Sequence, residues 1–247
     1  MLEDWDAATY DRIADPQTRW GRVVIERLPV DGAETVLDAG CGTGRVTELL
    51  LARLPQGRVV ALDASAAMLT EARRRLARWG DRVSYIHADL ARPLPLAAPV
   101  DAVVSTATFH WVPDHDALFA NLAAALRPGG ALVAQCGGTG NVASVVAAAA
   151  AAGCPLPPET ATFAGPGETV RRLEASGFRA VWVWLQQEPT PLEPGEQLET
   201  FLATAVLRTS LEGRSPQERR AFAHEVATRL PRPEIDYVRL NILARRA

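Results

Sequence analysis

The chain has 247 residues, 48% of them hydrophobic, which is enough to bury one substantial core and predicts a single α/β domain with additions. Its formal net charge of -3 lacks the basic excess of a nucleic-acid-binding protein. Its three cysteines form no CxxC pair and are odd in number, so we expect a reducing cytoplasm and no structural zinc.

The N-terminus lacks a basic region followed by an apolar run, so we expect no secretory signal. The longest alanine-rich apolar run, residues 142–153, is too short to span a bilayer, so no membrane association is expected. The chain contains no lysine, which is typical of a GC-rich bacterial genome and excludes the lysine of a P-loop.

Residues 1–30 carry aromatic and basic side chains at helical spacing and predict an N-terminal helical flap. Tyr10 and Trp20 of this segment are candidates to close over a bound ligand, although aromatic residues on an amphipathic helix more often belong to the core. We expect ligand contact from Tyr10.

Residues 31–137 alternate strands and helices in units of about 25 residues, the rhythm of a parallel sheet. Three successive apolar strands end in Asp38, Asp63 and Asp89. Because ligands bind outside the carboxyl ends of the strands in an open α/β sheet, we expect these carboxylates to face one crevice. Such a crevice suits a ligand with positive charge and hydroxyl groups, and it disfavours one rich in phosphates.

A glycine-rich turn, residues 40–44, follows the first of these strands. Dinucleotide sites use G-x-G-x-x-G, but Arg45 stands where that pattern needs its last glycine or alanine. Asp38 also adds a negative charge where a diphosphate would lie. Asp63, roughly 20 residues after the turn, can still bind a ribose. The ligand indicated has a ribose, a cationic group and no phosphate, as S-adenosylmethionine does.

The stretch 36–47, VLDAGCGTGRVT, resembles the first motif of class I S-adenosylmethionine-dependent methyltransferases. The resemblance implies a doubly wound, seven-stranded Rossmann-like sheet whose last strand is antiparallel. It also implies that Asp38 and the turn hold the methionine end, that Asp63 binds both ribose hydroxyls, and that S-adenosylhomocysteine is the product. The cofactor-binding residues expected are Tyr10, Asp38, Gly40, Cys41, Gly42, Thr43, Asp63, Ala64, Met68, Asp89, Leu90 and Thr106.

Several of these residues have simpler alternatives. Asp38 and Asp63 could cap the helices that follow them, and Asp89 could be an ordinary turn residue. Met68 stands at helical spacing with Ala72 and could belong to the core rather than to an adenine site.

The segment after the fourth strand, residues 105–115, reads STATFHWVPDH. It lacks the Pro-Pro-aromatic motif of nucleic-acid amino-methyltransferases and the magnesium-binding aspartate of catechol-type enzymes, so we expect neither nucleic acid nor metal. His110-Trp111 resembles the trans-aconitate methyltransferase branch. His110 is the candidate catalytic residue, as a base or as a pocket wall, and Trp111 is either a substrate wall or a core anchor.

The remaining chain predicts a helix and strand up to residue 187, a helical lid insertion at 188–233, and a final strand at 234–247. Tyr237 and Arg239 of that strand are candidate substrate residues, since arginine can pair with a carboxylate.

The activity expected is methyl transfer to an oxygen, with a carboxylate as first choice, or to a nitrogen of a small molecule. Two alternatives stay open. One is a cyclase or regulatory protein that binds the cofactor without methyl transfer, and the other is a nicotinamide-dependent oxidoreductase. The sequence names neither the acceptor nor the oligomeric state.

Overall fold

The computed structural model describes residues 15–155, 161–211 and 213–247. The α-helices are α1 Asp15–Glu26, α2 Arg45–Arg53, α3 Ala66–Leu76, α4 His115–Ala125, α5 Ala143–Ala151, α6 Pro166–Ala175, α7 Glu196–Phe201 and α8 Pro216–Arg229. The strands are β1 Thr35–Ala39, β2 Arg58–Asp63, β3 Val83–His87, β4 Val100–Thr106, β5 Leu126–Gly137, β6 Phe178–Gln187, β7 Thr190–Pro191, β8 Glu234–Ile235 and β9 Val238–Arg246. Short 3₁₀ helices cover Ala77–Arg82, Phe109–Trp111 and Arg208–Leu211, and α7 continues as a π-helix over Leu202–Val206.

Seven strands form one sheet in the order β3-β2-β1-β4-β5-β9-β6. The pairs among β1 to β5 are parallel, whereas β9 runs antiparallel to both β5 and β6. The prediction of a seven-stranded Rossmann-like sheet with an antiparallel last strand is confirmed. The strand order reverses between β1 and β4, and this switch point is where α/β sheets bind ligands.

Each face of the sheet carries its own apolar layer. One layer packs against α4 and α6 through residues such as Phe119, Leu122 and Leu173. The other layer packs against α1, α2 and α3. Alternation of side chains along β1, β4 and β5 accounts for both layers, because successive residues of a strand point to opposite faces.

The second half of the predicted N-terminal flap is helix α1, which is built into the second layer. Val24, Ile25 and Leu28 are buried there. Residues 1–14, including Tyr10, lie outside the described residues, so the predicted contact of Tyr10 with the cofactor has no structural description.

A third apolar cluster lies in the region of the predicted lid. It joins α7, its π-helical extension and α8 to helix α5, and it includes Trp20 of α1 and Tyr237. The two-stranded sheet β7-β8 pairs Thr190 with Ile235 and so ties together the two ends of the insertion. The final strand predicted at 234–247 is therefore divided: Glu234–Ile235 form β8, and the long strand β9 begins at Val238.

Helix α5 forms from the alanine-rich run that the sequence analysis treated only as too short for a membrane. Among the described residues, no helix is long and apolar enough to cross a bilayer. The division of the chain into a flap, a core, a lid and a final strand stays a prediction.

Candidate active site

The turn between β1 and α2 is fixed by its neighbours at the carboxyl edge of the sheet. The backbone N–H groups of Gly40 and Cys41 both donate to the carbonyl of Leu62, at 2.8 and 2.9 Å. Gly40 has a φ of 84°, and a Cβ built on it would lie 2.2 Å from the side chain of Thr108. Gly40 is thus required both by the backbone conformation and by the close approach of the β4 loop.

Gly42 faces open space instead. A Cβ built on it would meet no atom of the described residues within 4 Å, which leaves room for a ligand beside the turn. Such a glycine lets a ligand approach the backbone closely.

Asp63, at the end of β2, accepts two backbone hydrogen bonds. Gly42 N–H donates to its Oδ2 at 2.8 Å, and Ser65 N–H donates to its Oδ1 at 2.9 Å. A carboxylate oxygen can accept more than one hydrogen bond. The half-buried carboxylate is therefore held in place by the backbone, and its contact with two ribose hydroxyls stays a prediction.

Asp38 is buried, and its Oδ2 accepts a hydrogen bond of 2.6 Å from the Thr47 hydroxyl. Burial raises the pKa of Asp38 to about 7; the Thr47 hydrogen bond opposes this rise, and the nearby Asp63 carboxylate adds to it. Through Thr47 the carboxylate contacts the first turn of α2. This contact agrees in part with the alternative that Asp38 caps this helix. Its predicted role at the methionine end is not tested.

The remaining predicted cofactor residues surround the same edge. Ser65 caps α3 by accepting from the N–H of Met68, and Met68 is buried. Asp89 is exposed and accepts from Ala91 N–H at 2.8 Å, as a turn aspartate does. Four more lie along this edge: the buried residues Cys41, Thr43 and Leu90, and the exposed Ala64.

The loop after β4 brings its aromatic residues to the same edge. Thr106 ends the strand, and Ala107 follows with a φ of 58°. The Thr108 hydroxyl then donates to the Gly40 carbonyl at 3.2 Å. In the 3₁₀ helix that follows, Trp111 is half-buried, which leaves both of its predicted roles open.

His110 is buried in that 3₁₀ helix, and its protonation state follows from one contact. Gly137 N–H donates to His110 Nδ1 at 3.2 Å. Burial lowers the pKa of His110 well below its ordinary value, and the charges of Arg239 and His115 lower it further. The ring is therefore neutral, and because Nδ1 accepts, Nε2 carries the proton. The imidazole presents a hydrogen-bond donor rather than a base.

Arg239 and Tyr237, from β9 and the segment before it, lie close to this loop. Arg239 is the register partner of Gly137, the residue that binds His110. Its guanidinium carbon lies 4.2 Å from the ring centroid of Trp20 and 5.9 Å from that of Tyr237, and all three side chains are buried. A positive charge is thus enclosed between α1 and the carboxyl end of β5.

A group of polar residues beneath α1 was not predicted from the sequence. Gln135 and Asn241 are buried in adjacent strands, and Arg27, the residue after α1, donates to the amide oxygen of Asn241. The sequence does contain one indication of this group, an amide side chain in each of two otherwise apolar strands. Because buried polar groups need hydrogen-bond partners, two such amides indicate a buried polar contact.

A family model described as a methyltransferase domain matches residues 36–130. The chain is 46% identical over 134 residues to a trans-aconitate 2-methyltransferase of Azoarcus sp. strain BH72, covering 54% of this chain and 51% of that protein. It is 42% identical to the enzyme of the same name from Methylobacterium nodulans, with 54% and 50% covered. The chain thus spans about half the length of the curated relatives it matches.

Solved structures under 25% identical share the fold. YcgJ of Bacillus subtilis matches with a TM-score of 0.66 at 16% identity, over 92% of this chain and 98% of that one. A Haemonchus contortus N-methyltransferase in complex with S-adenosylhomocysteine matches with a TM-score of 0.66 at 18% identity, over 97% and 56%. The [4+2]-cyclase SpnF matches with a TM-score of 0.62 at 19% identity, over 93% and 81%, so the fold leaves the cyclase alternative open.

The fold and the matched segment, residues 36–130, are those of a methyltransferase domain, which supports S-adenosylmethionine as the cofactor. Over about half of its length, the chain is similar to trans-aconitate 2-methyltransferases. This similarity disfavours the nicotinamide-oxidoreductase alternative. The Asp63 carboxylate and the space beside Gly42 fit an adenosyl ligand without phosphates.

Proposed function

We propose that this chain transfers the methyl group of S-adenosylmethionine to a carboxylate oxygen of a small organic acid. The observation that carries the proposal is the hydrogen bond from Gly137 N–H to His110 Nδ1 in a buried ring, which leaves the proton of the imidazole on Nε2.

Methyl acceptors differ in whether they need a base. A phenol, an alcohol or an ammonium group must lose a proton before or during methyl transfer, whereas a carboxylate is already ionised at neutral pH. The His110 Nδ1 lone pair is engaged by Gly137 N–H, so the ring has no free lone pair to take that proton. A donor at Nε2 is suited to holding a carboxylate.

The charge next to His110 also favours an acid. Arg239 is 1% exposed, and a buried guanidinium attracts an anion more strongly than an exposed one does. The relatives are named for trans-aconitate, which is itself a carboxylic acid. We therefore assign Arg239 and His110 to the acceptor and Asp63 to the ribose, with Tyr237 and Trp111 as walls.

The bound cofactor supplies an electrophilic methyl group on a sulfonium. One acceptor oxygen attacks the methyl carbon, the carbon–sulfur bond breaks, and its electron pair stays on sulfur. The products are a methyl ester and S-adenosylhomocysteine, and no proton moves. The protein contributes by holding the acceptor in line and excluding water, which is catalysis by proximity.

The test is methyl transfer from methyl-labelled S-adenosylmethionine to separate panels of carboxylic acids, phenols and amines. We expect labelled product from the acids, and we expect alkali to release the label as methanol because it hydrolyses esters. Alkali-stable product formed only from phenols or amines would contradict the proposal. Reaction with none of the panels would favour the cyclase or regulatory alternative.

A further inference from the structure

A row of polar side chains lies on the sheet face that α1 covers. Thr106 of β4 is the register partner of Gln135 in β5, and Gln135 is the partner of Asn241 in β9. Register partners project from the same face of a sheet. Val104 and Val133, two residues before Thr106 and Gln135, belong to the apolar layer beneath α1, which identifies the face.

The orientation of the Gln135 amide is fixed by its neighbours. Arg27 Nη1 donates to Asn241 Oδ1 at 2.7 Å, and because a guanidinium can only donate, that Asn241 atom must be oxygen. The Gln135 atom that lies 3.0 Å from the same oxygen must then be the Nε2 amide nitrogen. The carbonyl oxygen of Gln135, Oε1, is therefore directed away from Asn241.

This oxygen is buried and accepts no hydrogen bond within the described part of the chain. Gln135 itself is 2% exposed. The hydroxyl of Thr106 and the indole N–H of Trp20 are likewise buried without a hydrogen-bond partner among the described residues. Buried polar atoms in folded proteins are almost always hydrogen-bonded, to protein, water or ligand. Thr106 and Gln135, which are register partners beneath α1, thus point to a ligand with matching polar groups.

A cationic side chain lies near the same atoms. Arg239, two residues before Asn241, lies on the same face of β9, and Trp20 stacks on its guanidinium. The guanidinium of Arg239 and the oriented carbonyl oxygen of Gln135 therefore lie on the same face. Together they are complementary to a molecule that has both an anionic group and a hydrogen-bond donor.

We infer that Gln135 Oε1, oriented by Arg27 and Asn241, selects acceptor acids that carry a hydroxyl or N–H group in addition to the carboxylates. The inference rests on the proposed methylation of carboxylic acids and narrows the acceptor class. Gln135 is then a specificity residue, and Arg27 is a positioning residue that acts through Asn241.

The test compares acids that differ by one hydroxyl group: malate with succinate, and citrate with tricarballylate. Binding to the protein saturated with S-adenosylhomocysteine is measured by calorimetry, and kcat/KM is measured for those that react. Sites built to hydrogen-bond a ligand hydroxyl reject the analogue that lacks it, so we expect the hydroxy acid of at least one pair to bind about tenfold or more tightly. In Gln135→Leu, that preference should fall to about threefold or less, because the accepting oxygen is gone.

Variants of Arg27 distinguish an effect on the orientation of the Gln135 amide from an effect on the stability of the fold. Arg27→Met leaves the two amides free to exchange their oxygen and nitrogen positions, so the hydroxyl preference should fall although Gln135 is present. Arg27→Lys keeps a group that can only donate and should retain more of the preference than Arg27→Met. Melting temperatures identify variants that fail to fold.

Equal binding of both members of each pair would overturn the inference and indicate that water satisfies Gln135. Tighter binding of the succinate-type members, or binding of neither member of any pair, would overturn it as well. A hydroxyl preference in binding without any methyl transfer would contradict the proposed function while supporting the assignment of Gln135.

Discussion

At the scale of single residues, the candidate site depends on how each polar side chain is held rather than on its type alone. Asp63 is oriented by two backbone N–H groups, Asp38 by one hydroxyl, and His110 by one backbone N–H. These contacts decide which atoms stay available to a ligand. Because the contacts differ, a substitution at each of these residues should change a different measurable property.

Asp63→Ala should weaken S-adenosylmethionine binding by about 1–3 kcal/mol, because charged hydrogen bonds to the ribose are lost. Calorimetric titration measures the change in Kd. Asp81→Ala, at an exposed position outside the crevice, is the matched control and should leave the Kd unchanged. An unchanged Kd for the Asp63 variant would count against the ribose assignment.

Asp38 should make the protein less stable as the pH rises. Its folded pKa of about 7 lies above the ordinary value of 3.8, so the folded state binds more protons than the unfolded state between these values. The stability of the wild type relative to Asp38→Asn should therefore decrease as the pH rises from about 4 to 7. Chemical denaturation at several pH values measures this difference, and a difference that grows with pH would contradict the burial argument.

His110 should behave as a donor. Its folded pKa is lowered, so the unfolded state takes up the proton first, and the wild type should lose stability relative to His110→Gln as the pH falls below about 6.5. In kinetics, His110→Gln retains an acceptor for Gly137 and a donor for the acid. It should keep more activity than His110→Leu. A base would give a different pH profile. The wild-type rate would fall as a group titrating near neutrality is protonated, and this pH dependence would be absent in His110→Gln.

At the scale of elements, the β1–α2 turn and the β4 loop form one unit, since Thr108 packs on Gly40 and bonds its carbonyl. The antiparallel strand β9 extends this unit by carrying Arg239 to the end of β5. Helix α1 covers both the polar row and the guanidinium. The proposed acceptor site is thus assembled from four elements far apart in the sequence.

Gly40→Ala and Gly42→Ala should have different effects, although both residues have positive φ. The Cβ of Gly40→Ala would clash with Thr108, so this variant should lose stability, seen as a lower Tm. The Cβ of Gly42→Ala would enter the open space beside the turn. This variant should therefore have a smaller loss of Tm than Gly40→Ala and a weaker affinity for the cofactor. Equal effects of both substitutions on Tm and Kd would contradict the separate roles.

At the scale of the whole molecule, the sequence predicts the sheet well because its signals are local. Two local patterns can be recognised within a short stretch of sequence. They are the apolar strands that end in Asp38 and Asp63, and the turn with glycines at fixed spacing. Contacts between distant segments have no such signal. The sequence therefore predicted neither helix α5 as part of the third apolar cluster nor the Arg27–Asn241–Gln135 contacts. The donor state of His110 also depends on Gly137, 27 residues further along the chain.

A crystal structure of the protein with S-adenosylhomocysteine would show whether the crevice binds the cofactor as proposed. We expect the ribose hydroxyls on Asp63, the amino-acid end beside the turn at Gly42, and the sulfur directed toward the loop that carries His110. An adenosine bound away from Asp63, or a sulfur directed away from that loop, would overturn the proposed cofactor site.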